Sequence, residues 1–535
     1  MVFHSPLTNF AFFFVNTWSA VISKARVVPK SPATIRQHVT HMKAIILAES
    51  DNSALRPLNG RKPGALIKIN GIPLLEHQIR RYLNAGVAEA SLTVVSGYYH
   101  NVVKRFLTRV HPTIRVVKNA NYRSKNAARS LHLAIKTAEF DDESLLVSSV
   151  ECVFDDHLIE ALVRSSTNSV AGDTRRSGGT MLVKNGCVVS DGAAITKGGT
   201  TAVSAGVLRF NARATAALKR VVASRAIDTE VSMAIVVNDL VKTMRVTLVD
   251  VTGFNWTCVR SMDDLYDADK RFSRFKLSDT HCFILDLDGT VYIGDRPIRG
   301  AVKFIDRSAY KKEFYFVSNN TSKLAEDYHL KLSAMNVTTI IDHVITPLAP
   351  LISYMQSHAL QRIYLLGNAR IETFVRQALP GLQLTADPDK CEALVVAYDT
   401  ELTYEKLQNA AVLLQQNPRL PFLATHGDLV CPTEDGFIPD CGCILSVLEQ
   451  TTGRRPHVIF GKPSPRLVKS VVDRFGSDRT AIVGDRLYTD GKMARNVGCS
   501  FICVLSGETT RKQIDDLDED DFPTLIVKDL GELLL

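Results

Sequence analysis

Two aspartates one residue apart close an apolar run and are the strongest chemical signal in the sequence. The run Phe283-Ile-Leu285 is typical of a buried strand, and Asp286-Leu-Asp288-Gly289-Thr290 follows it directly. Side chains alternate along a strand, so Asp286 and Asp288 are expected to point the same way. Two adjacent carboxylates repel each other unless a cation or a shared proton relieves them. Mg²⁺ prefers oxygen ligands and is the expected cation, although the segment alone also fits an Asp-Gly turn.

Three further polar clusters lie beside apolar runs. Ser318 and Asn319 follow Phe314-Tyr-Phe-Val317, Lys462 lies in Phe460-Gly-Lys-Pro463, and Asp485 and Asp490 follow Ala481-Ile-Val-Gly484. Polar residues at the ends of apolar strands are typical of parallel sheets, which bind ligands at the carboxyl ends of their strands. The pattern therefore predicts an α/β fold whose four clusters meet at one edge of a sheet.

These four segments, in this order, resemble the haloacid dehalogenase (HAD) superfamily of aspartate-nucleophile phosphatases. The most similar branch is the one of p-nitrophenylphosphatases and phosphoglycolate phosphatase-like proteins. The resemblance runs from about Thr280 to about Thr510. It includes Phe422-Leu-Ala-Thr-His-Gly-Asp428 and Pro439-Asp-Cys-Gly442, which look like that branch's cap domain. The resemblance implies a HAD-like Rossmannoid core with an inserted α/β cap.

The resemblance also implies a role for each motif residue. Asp286 would attack phosphorus to form an aspartyl-phosphate, and Asp288 would protonate the leaving group and then deprotonate the attacking water. Lys462 would neutralise charge on the nucleophile and the phosphoryl group. The residues implied for phosphate binding are Ser318, Asn319, Gly289 and Thr290, and those implied for Mg²⁺ are Asp286, Asp288 through its carbonyl, Asp485 and, in support, Asp490.

More than a hundred residues separate Ser318 from Lys462, which is too long for a plain loop. Strand and helix signals within this stretch predict an α/β cap of residues 350–452, and a cap excludes water and selects the substrate. The residues expected to face its entrance are Thr425, His426, Asp428 and Asp440. His426 and Asp440 depart from the Asn and Gly expected in the family, which leaves the identity of the substrate open.

The first part of the chain resembles a second family. Its alternating strands and helices predict a mostly parallel sheet with helices on both faces. Several segments look like the sugar-phosphate and phosphocholine-type nucleotidyltransferases: Ala44–Ala48, Leu55–Leu58, Pro63, Leu66, Gly71–Leu75, Val95–Tyr98, the base-binding stretch with Asn126, Ser130 and Leu131, and Trp256 with Met262–Leu265. This resemblance covers roughly residues 42–270 and implies the fold of that family.

The chemistry of that family is not retained. Its glycine-rich triphosphate loop needs residues without Cβ, yet Glu49, Ser50, Asp51 and Asn52 stand there. The positions of the family's arginine, lysine and two metal carboxylates fall at Ala54, Gly64, Ser148–Val150 and Arg260. Arg56, Lys62 and Glu151 lie nearby and could replace the missing side chains. Loss of the activity is nevertheless favoured, because retaining it requires several such replacements at once. The sequence predicts a pseudo-nucleotidyltransferase domain.

The predicted organisation is two doubly wound, mostly parallel-sheet α/β domains. Residues 42–275 form the nucleotidyltransferase-like domain. Residues 280–535 form the HAD-like domain, with core segments 280–349 and 453–535 around the cap. The stretch Met262–Ser278 is acidic first and basic last, which predicts an exposed helix joining the two domains.

Composition narrows the class of protein. Hydrophobic residues make up 45% and charged residues 22% of 535 positions, as in ordinary globular proteins, and no apolar run is long enough to span a bilayer. The ten cysteines lack zinc-site spacing and are interpreted as reduced thiols of a cytoplasmic protein. The net charge of +8 is carried by dispersed residues without interleaved aromatics, so nucleic acid is not an expected partner.

Residues 1–41 stand apart because they contain no Asp or Glu and carry Lys24, Arg26, Lys30 and Arg36. This composition fits an organellar transit peptide. It equally fits a disordered extension, or an upstream methionine before a true start at Met42.

Three functions remain open at this point. The leading hypothesis is a Mg²⁺-dependent phosphatase acting on a small phosphorylated metabolite, with a degenerate first domain. The second is a bifunctional enzyme that makes a CDP- or UDP-linked product and also removes phosphate. The third is a scaffold or regulatory protein without turnover. Binding of a nucleotide by the first domain and homodimerisation are left open.

Overall fold

The computed structural model describes residues 42–138, 143–191, 200–433 and 436–534. The predictions for residues 1–41 lie outside these ranges.

The first half is built on a nine-stranded sheet and two short ribbons. The sheet has the order β5-β4-β1-β6-β11-β8-β12-β10-β9, and the ribbons pair β2 with β3 and β7 with β13. The strands are β1 (Met42–Ala48), β2 (Lys68–Ile69), β3 (Ile72–Pro73), β4 (Leu92–Ser96), β5 (Arg115–Lys118), β6 (Ser144–Ser149), β7 (Cys152–Phe154), β8 (Ser169–Asp173), β9 (Met181–Lys184), β10 (Cys187–Ser190), β11 (Thr200–Phe210), β12 (Thr247–Asp250) and β13 (Trp256–Cys258).

Five helices in the described part of this half begin at a side chain that satisfies a free backbone N–H group. Asn126, Asp155, Asn211, Ser232 and Ser261 each accept a hydrogen bond from the backbone at the start of a helix. The helices are α1 (Leu74–Asn84), α2 (His100–Val110), α3 (Ala127–Thr137), α4 (Asp156–Arg164), α5 (Ala212–Arg225), α6 (Met233–Val241) and α7 (Met262–Phe272).

Strand direction in the large sheet agrees only in part with the predicted parallel sheet. Strands β5, β4, β1 and β6 are mutually parallel, and alternate residues of β1 pack into two separate cores on the two faces. Strand β11, however, is antiparallel to β6, β8 and β9, and β10 is antiparallel to β9 and β12. No helix lies between β8 and β11 in the described residues, so these strands lack the crossovers that parallel pairing needs.

The second half contains two all-parallel sheets. The core sheet has the order β18-β17-β14-β26-β27-β28, and the cap sheet has the order β20-β19-β21-β22-β25. The strands are β14 (Cys282–Asp286), β15 (Tyr292–Ile293), β16 (Arg296–Pro297), β17 (Glu313–Val317), β18 (Val344–Ile345), β19 (Arg362–Leu366), β20 (Gln383–Leu384), β21 (Ala393–Val396), β22 (Phe422–Ala424), β23 (Val430–Thr433), β24 (Gly436–Pro439), β25 (Val458–Ile459), β26 (Thr480–Gly484), β27 (Ser500–Val504) and β28 (Leu525–Val527).

Strand β14 has apolar side chains on both faces of the core sheet. Phe283 and Leu285 pack into one core, and Cys282 and Ile284 pack into the other. Helices therefore cover both faces of the sheet. The helices are α8 (Arg299–Ser308), α9 (Ala325–Ala334), α10 (Leu348–Ser357), α11 (Ala369–Ala378), α12 (Tyr404–Gln416), α13 (Cys441–Thr452), α14 (Lys469–Phe475), α15 (Lys492–Val497) and α16 (Arg511–Asp515). Within the described ranges, no helix is both long enough and apolar enough to cross a membrane.

The cap sheet extends beyond the predicted boundary at residue 452. Its last strand, β25, pairs with β22, so the chain returns to the core only after Ile459. At the other end, Leu348 and Leu351 of α10 pack with Ile363 and Val395 of the cap sheet.

Candidate active site

The motif residues meet at the carboxyl edge of the core sheet. Asp286 ends β14, Ser318 follows β17 and Asp485 follows β26. Because β14 lies between β17 and β26 and all three are parallel, their carboxyl ends are neighbours. The sheet alone therefore brings three of the four sequence clusters together.

Lys462 lies inside a group of carboxylates. Its Nζ contacts Asp286 Oδ1 and lies 2.7 Å from Asp490 Oδ1, and its side chain is only 4% exposed. Burial favours loss of the proton, but the two carboxylates outweigh burial and raise the pKa of Lys462 above its usual value. Lys462 is thus a fixed positive charge beside the expected nucleophile.

A third carboxylate, Asp485, completes a cluster suited to a metal ion. Oxygens of Asp286, Asp485 and Asp490 lie within 4.8 Å of one another. Burial, with the charges of Asp286 and Asp490, raises the pKa of Asp485 to about 7. Asp485 Oδ2 accepts a hydrogen bond from Glu508 N (2.6 Å), whereas the buried Oδ1 has no hydrogen-bond partner in the described part of the chain. An all-oxygen donor set with an unsatisfied oxygen fits a hard divalent cation such as Mg²⁺.

Two glycines leave room for this carboxylate. A Cβ at Gly289, whose φ is +83°, or at Gly507 would collide with the Asp485 carboxylate. Gly289 is also held by Ser506, whose hydroxyl donates to its carbonyl (2.6 Å). The loop after β14 and the loop after β27 therefore enclose Asp485 from two sides.

Asp288 lies next to the cluster with its side chain open to the cleft. Desolvation by the cleft walls, followed by repulsion from Asp286, raises the pKa of Asp288. A carboxyl group that retains its proton to a higher pH is suited to protonate a leaving group.

The predicted phosphate-binding residues have different surroundings. Ser318 Oγ accepts a hydrogen bond from Asn320 N (3.3 Å), and Ser318 lines the cleft. Asn319 also lines the cleft, but its Oδ1 accepts from Lys462 N (2.7 Å) and its Nδ2 donates to Asp428 Oδ2 (3.1 Å). Its side chain connects the lysine backbone to the cap. Thr290 is fully buried and does not line the cleft.

The cleft between core and cap has a volume of about 420 Å³. Asp428 and Asp440 of the cap line it, as expected, together with the core carboxylates Asp286, Asp288 and Asp490. Thr425 and His426 do not line it.

Both of these cap residues are fully buried. Thr425 Oγ1 lies 3.2 Å from Thr321 Oγ1, at the contact between cap and core. The His426 ring nitrogens lie 3.8 Å from Asp428 and 3.5 Å from Asp440. Both side chains are therefore enclosed by protein and do not face the cleft entrance, where they were expected.

Sequence reasoning missed Arg486, which also lines the cleft. Burial lowers the pKa of Arg486, but the surrounding acidic groups, Asp286 foremost, outweigh burial and raise the pKa above its usual value. Its Nε lies 2.9 Å from Glu508 Oε2. Its position directly after Gly484-Asp485, at the carboxyl end of a strand, is the sequence feature that indicates a place in the site. Lys331 of α9, also missed, lines the same cleft but has no motif around it.

The polar residues assigned by resemblance in the first half are engaged inside the protein. Asn126 caps α3 and donates to the carbonyls of Arg225 and Asp228 (2.9 and 2.7 Å). Ser130 donates to Glu49 (2.8 Å), and burial raises the pKa of Glu49 to about 7. Lys62, a candidate phosphate ligand, instead forms an ion pair with Asp515 of the second half.

Comparison with known proteins places the second half in a family. A family model described as haloacid dehalogenase-like hydrolase matches residues 283–378, and one described as HAD-hydrolase-like matches residues 459–533. The acid sugar phosphatase of Staphylococcus haemolyticus is 33% identical over 253 residues, which are 46% of this chain and 93% of that protein.

Two solved structures are also similar. The 4-nitrophenylphosphatase of Thermotoga maritima is 37% identical, with 48% of this chain and 97% of that chain covered and a TM-score of 0.44. The glycerol phosphate phosphatase of Mycobacterium tuberculosis, solved with magnesium, is 28% identical, with 48% and 76% covered and a TM-score of 0.43. Through its second half, the chain belongs to the haloacid dehalogenase-like hydrolases, in the group of phosphatases that includes the acid sugar phosphatases.

Proposed function

We propose that this protein is a Mg²⁺-dependent phosphatase that hydrolyses a small phosphomonoester through an aspartyl-phosphate on Asp286. The observation that carries the proposal is the placement of Lys462 between Asp286 and Asp490, next to the unsatisfied oxygen of Asp485. The family membership of the second half supports the same reaction.

The residues divide the reaction into two displacements. In the first, an Asp286 oxygen attacks phosphorus, the ester P–O bond breaks, and Asp288 gives its proton to the departing alkoxide. In the second, Asp288 takes a proton from water, which attacks phosphorus and releases Asp286 and inorganic phosphate. Lys462 neutralises negative charge on Asp286 and the phosphoryl oxygens throughout. Asp286, Asp485 and the Asp288 carbonyl would hold Mg²⁺, with Asp490 in support, and the bound ion would supply further charge neutralisation.

The cleft favours a small leaving group rich in hydroxyls. About 420 Å³ suits a metabolite, not a macromolecule. Asp428 and Asp440 place carboxylate oxygens on the cap side, where they can accept hydrogen bonds from hydroxyls and repel further anionic groups. Similarity to an acid sugar phosphatase supports this substrate class.

The proposal includes a first domain, residues 42–275, that resembles nucleotidyltransferases and does not transfer nucleotides. Glu49 occupies the place of a phosphate-binding loop, and Asn126 and Ser130 are bonded within the protein. Bifunctional synthesis of a CDP- or UDP-linked product is the second candidate, and a scaffold role is the third. A cytoplasmic location, a nucleotide ligand and a homodimer stay predictions.

Hydrolysis of p-nitrophenyl phosphate in the presence of Mg²⁺ tests the nucleophile. We expect turnover by the wild type and a loss of roughly six orders of magnitude in Asp286→Asn, as for removal of a nucleophile elsewhere. The matched control is Asp306→Asn on the exposed surface of α8, which should keep wild-type activity. Equal rates in the wild type and Asp286→Asn would refute a covalent role for Asp286.

The role of Asp288 depends on the leaving group. In Asp288→Asn, hydrolysis of a sugar or glycerol phosphate should fall by about 10²- to 10⁴-fold because its alkoxide needs a proton. Release of p-nitrophenolate, a good leaving group, should fall much less in the first step. Stopped-flow measurement of the first turnover with both esters checks this. An equal loss for both esters would assign Asp288 a different role.

Binding of Mg²⁺ should stabilise the protein by mass action. At a free concentration 100 times the dissociation constant, the free energy of unfolding should rise by about 2.7 kcal/mol. Thermal unfolding with and without Mg²⁺ measures the gain, which Asp485→Asn should abolish and Asp306→Asn should retain. A gain unchanged in Asp485→Asn would place the ion elsewhere.

Nucleotidyl transfer is tested in the full chain carrying Asp286→Asn, so that phosphatase activity does not remove substrate. We expect no pyrophosphate release from CTP or UTP with phosphocholine or a sugar 1-phosphate, because the metal carboxylates and phosphate-binding side chains are lost. Release above background would favour the bifunctional enzyme.

A further inference from the structure

The loop that holds Asp485 is continuous with the contact between the two halves of the chain. In this loop, residues 505–510, Glu508 N donates to Asp485 Oδ2 (2.6 Å) and Thr509 N donates to Asp485 O (3.1 Å). Helix α16 starts at the next residue, Arg511, after a capping box between Thr510 and Gln513. Only Thr510 separates Thr509, whose N–H is bonded to Asp485 O, from the first residue of α16.

Arg511 is fixed by the first half. Its side chain, 4% exposed, forms an ion pair with Asp269 of α7, whose side chain is fully buried. Arg511 also donates to Lys68 O (2.6 Å), and Asp269 Oδ1 accepts from Asn70 N (2.9 Å). Both ends of the buried pair are thus hydrogen-bonded to the β2–β3 ribbon of the first half. The charge pattern of Met262–Ser278 predicts an exposed linker helix, whereas α7 carries the buried carboxylate of Asp269 into the contact.

The other end of α16 is held in the same way. The side chain of Asp515 is fully buried, accepts from Lys68 N (2.8 Å) and forms an ion pair with Lys62. The Lys68 ammonium contacts the carbonyl of Leu517 just beyond the helix. One short helix therefore has a buried charge at each end, and each charge is paired with the first half. Removing one member of such a pair leaves the other uncompensated.

We infer that Arg511 and Asp269 are positioning residues for the metal carboxylate Asp485, so that the first half supports the active site of the second without taking part in the chemistry. The inference rests on the proposed metal site. It gives the nucleotidyltransferase-like half a role in the phosphatase reaction. Asp485 remains the ligand, and the Asp269–Arg511 pair sets its orientation through the 505–510 loop.

The test compares metal affinity in full-length variants, with Mn²⁺ as the probe and its electron paramagnetic resonance signal as the readout. Asp269→Asn should weaken Mn²⁺ binding by about tenfold, the lower end of the effect of removing a residue that orients a metal ligand. Arg511→Lys keeps the positive charge but loses the simultaneous contacts with Asp269 and Lys68 O. It should also weaken Mn²⁺ binding. In both variants, the Mg²⁺ concentration for half-maximal hydrolysis should rise by the same factor as the Mn²⁺ dissociation constant. The KM for the ester at saturating Mg²⁺ should not change.

Glu519→Gln is the matched control, because Glu519 pairs with Arg80 across the same contact but both side chains are exposed. It should retain wild-type Mn²⁺ affinity. Wild-type affinity in both Asp269→Asn and Arg511→Lys, with only a lower melting temperature, would overturn the inference. If the wild type binds Mn²⁺ but hydrolyses no ester, the proposed function fails while the affinity comparison still decides the inference.

Discussion

The contact of the Lys462 ammonium with Asp286 and Asp490 is the interaction on which the candidate active site depends. A cluster of carboxylates at one sheet edge is unstable through mutual repulsion, and one buried lysine offsets only part of it. The uncompensated negative charge is evident at Asp485. Its pKa is raised, and its Oδ1 has no hydrogen-bond partner in the described part of the chain. Gly289 and Gly507 leave room for the Asp485 carboxylate, and the Glu508 N–H donates to it.

Much of this site could be predicted because parallel strands convert sequence order into spatial proximity. Asp286, Ser318 and Asp485 each follow an apolar run, and the register of β14 with β17 and β26 then leaves little freedom in where they lie. The cap could be predicted from the length of the insertion. These inferences depend on local patterns that short segments carry by themselves.

The parts that escaped prediction depend on contacts between distant residues. No local pattern reports that the Asn319 side chain is bound to the backbone of Lys462 and to Asp428, or that Thr425 meets Thr321. The antiparallel pairing of β11 with β8 and β9 goes with the absence of a helix between these strands in the described residues, which single segments do not reveal. Asp269 lies in a helix whose charges fit an exposed surface, and its burial depends on distant partners: Arg511, 242 residues away, and the backbone N–H of Asn70.

The hydrogen bonds of Asn319 have a consequence for how the enzyme admits substrate. One amide group holds the lysine backbone with its oxygen and the cap with its nitrogen. The Asn319 Nδ2 also donates to Lys462 O (3.3 Å), so this side chain is bonded to the lysine backbone through both of its polar atoms. Separation of the cap from the core would break the bond to Asp428 and leave both bonds to Lys462 in place. The cap could therefore part from the core to admit a substrate without releasing Lys462 from its place beside Asp286.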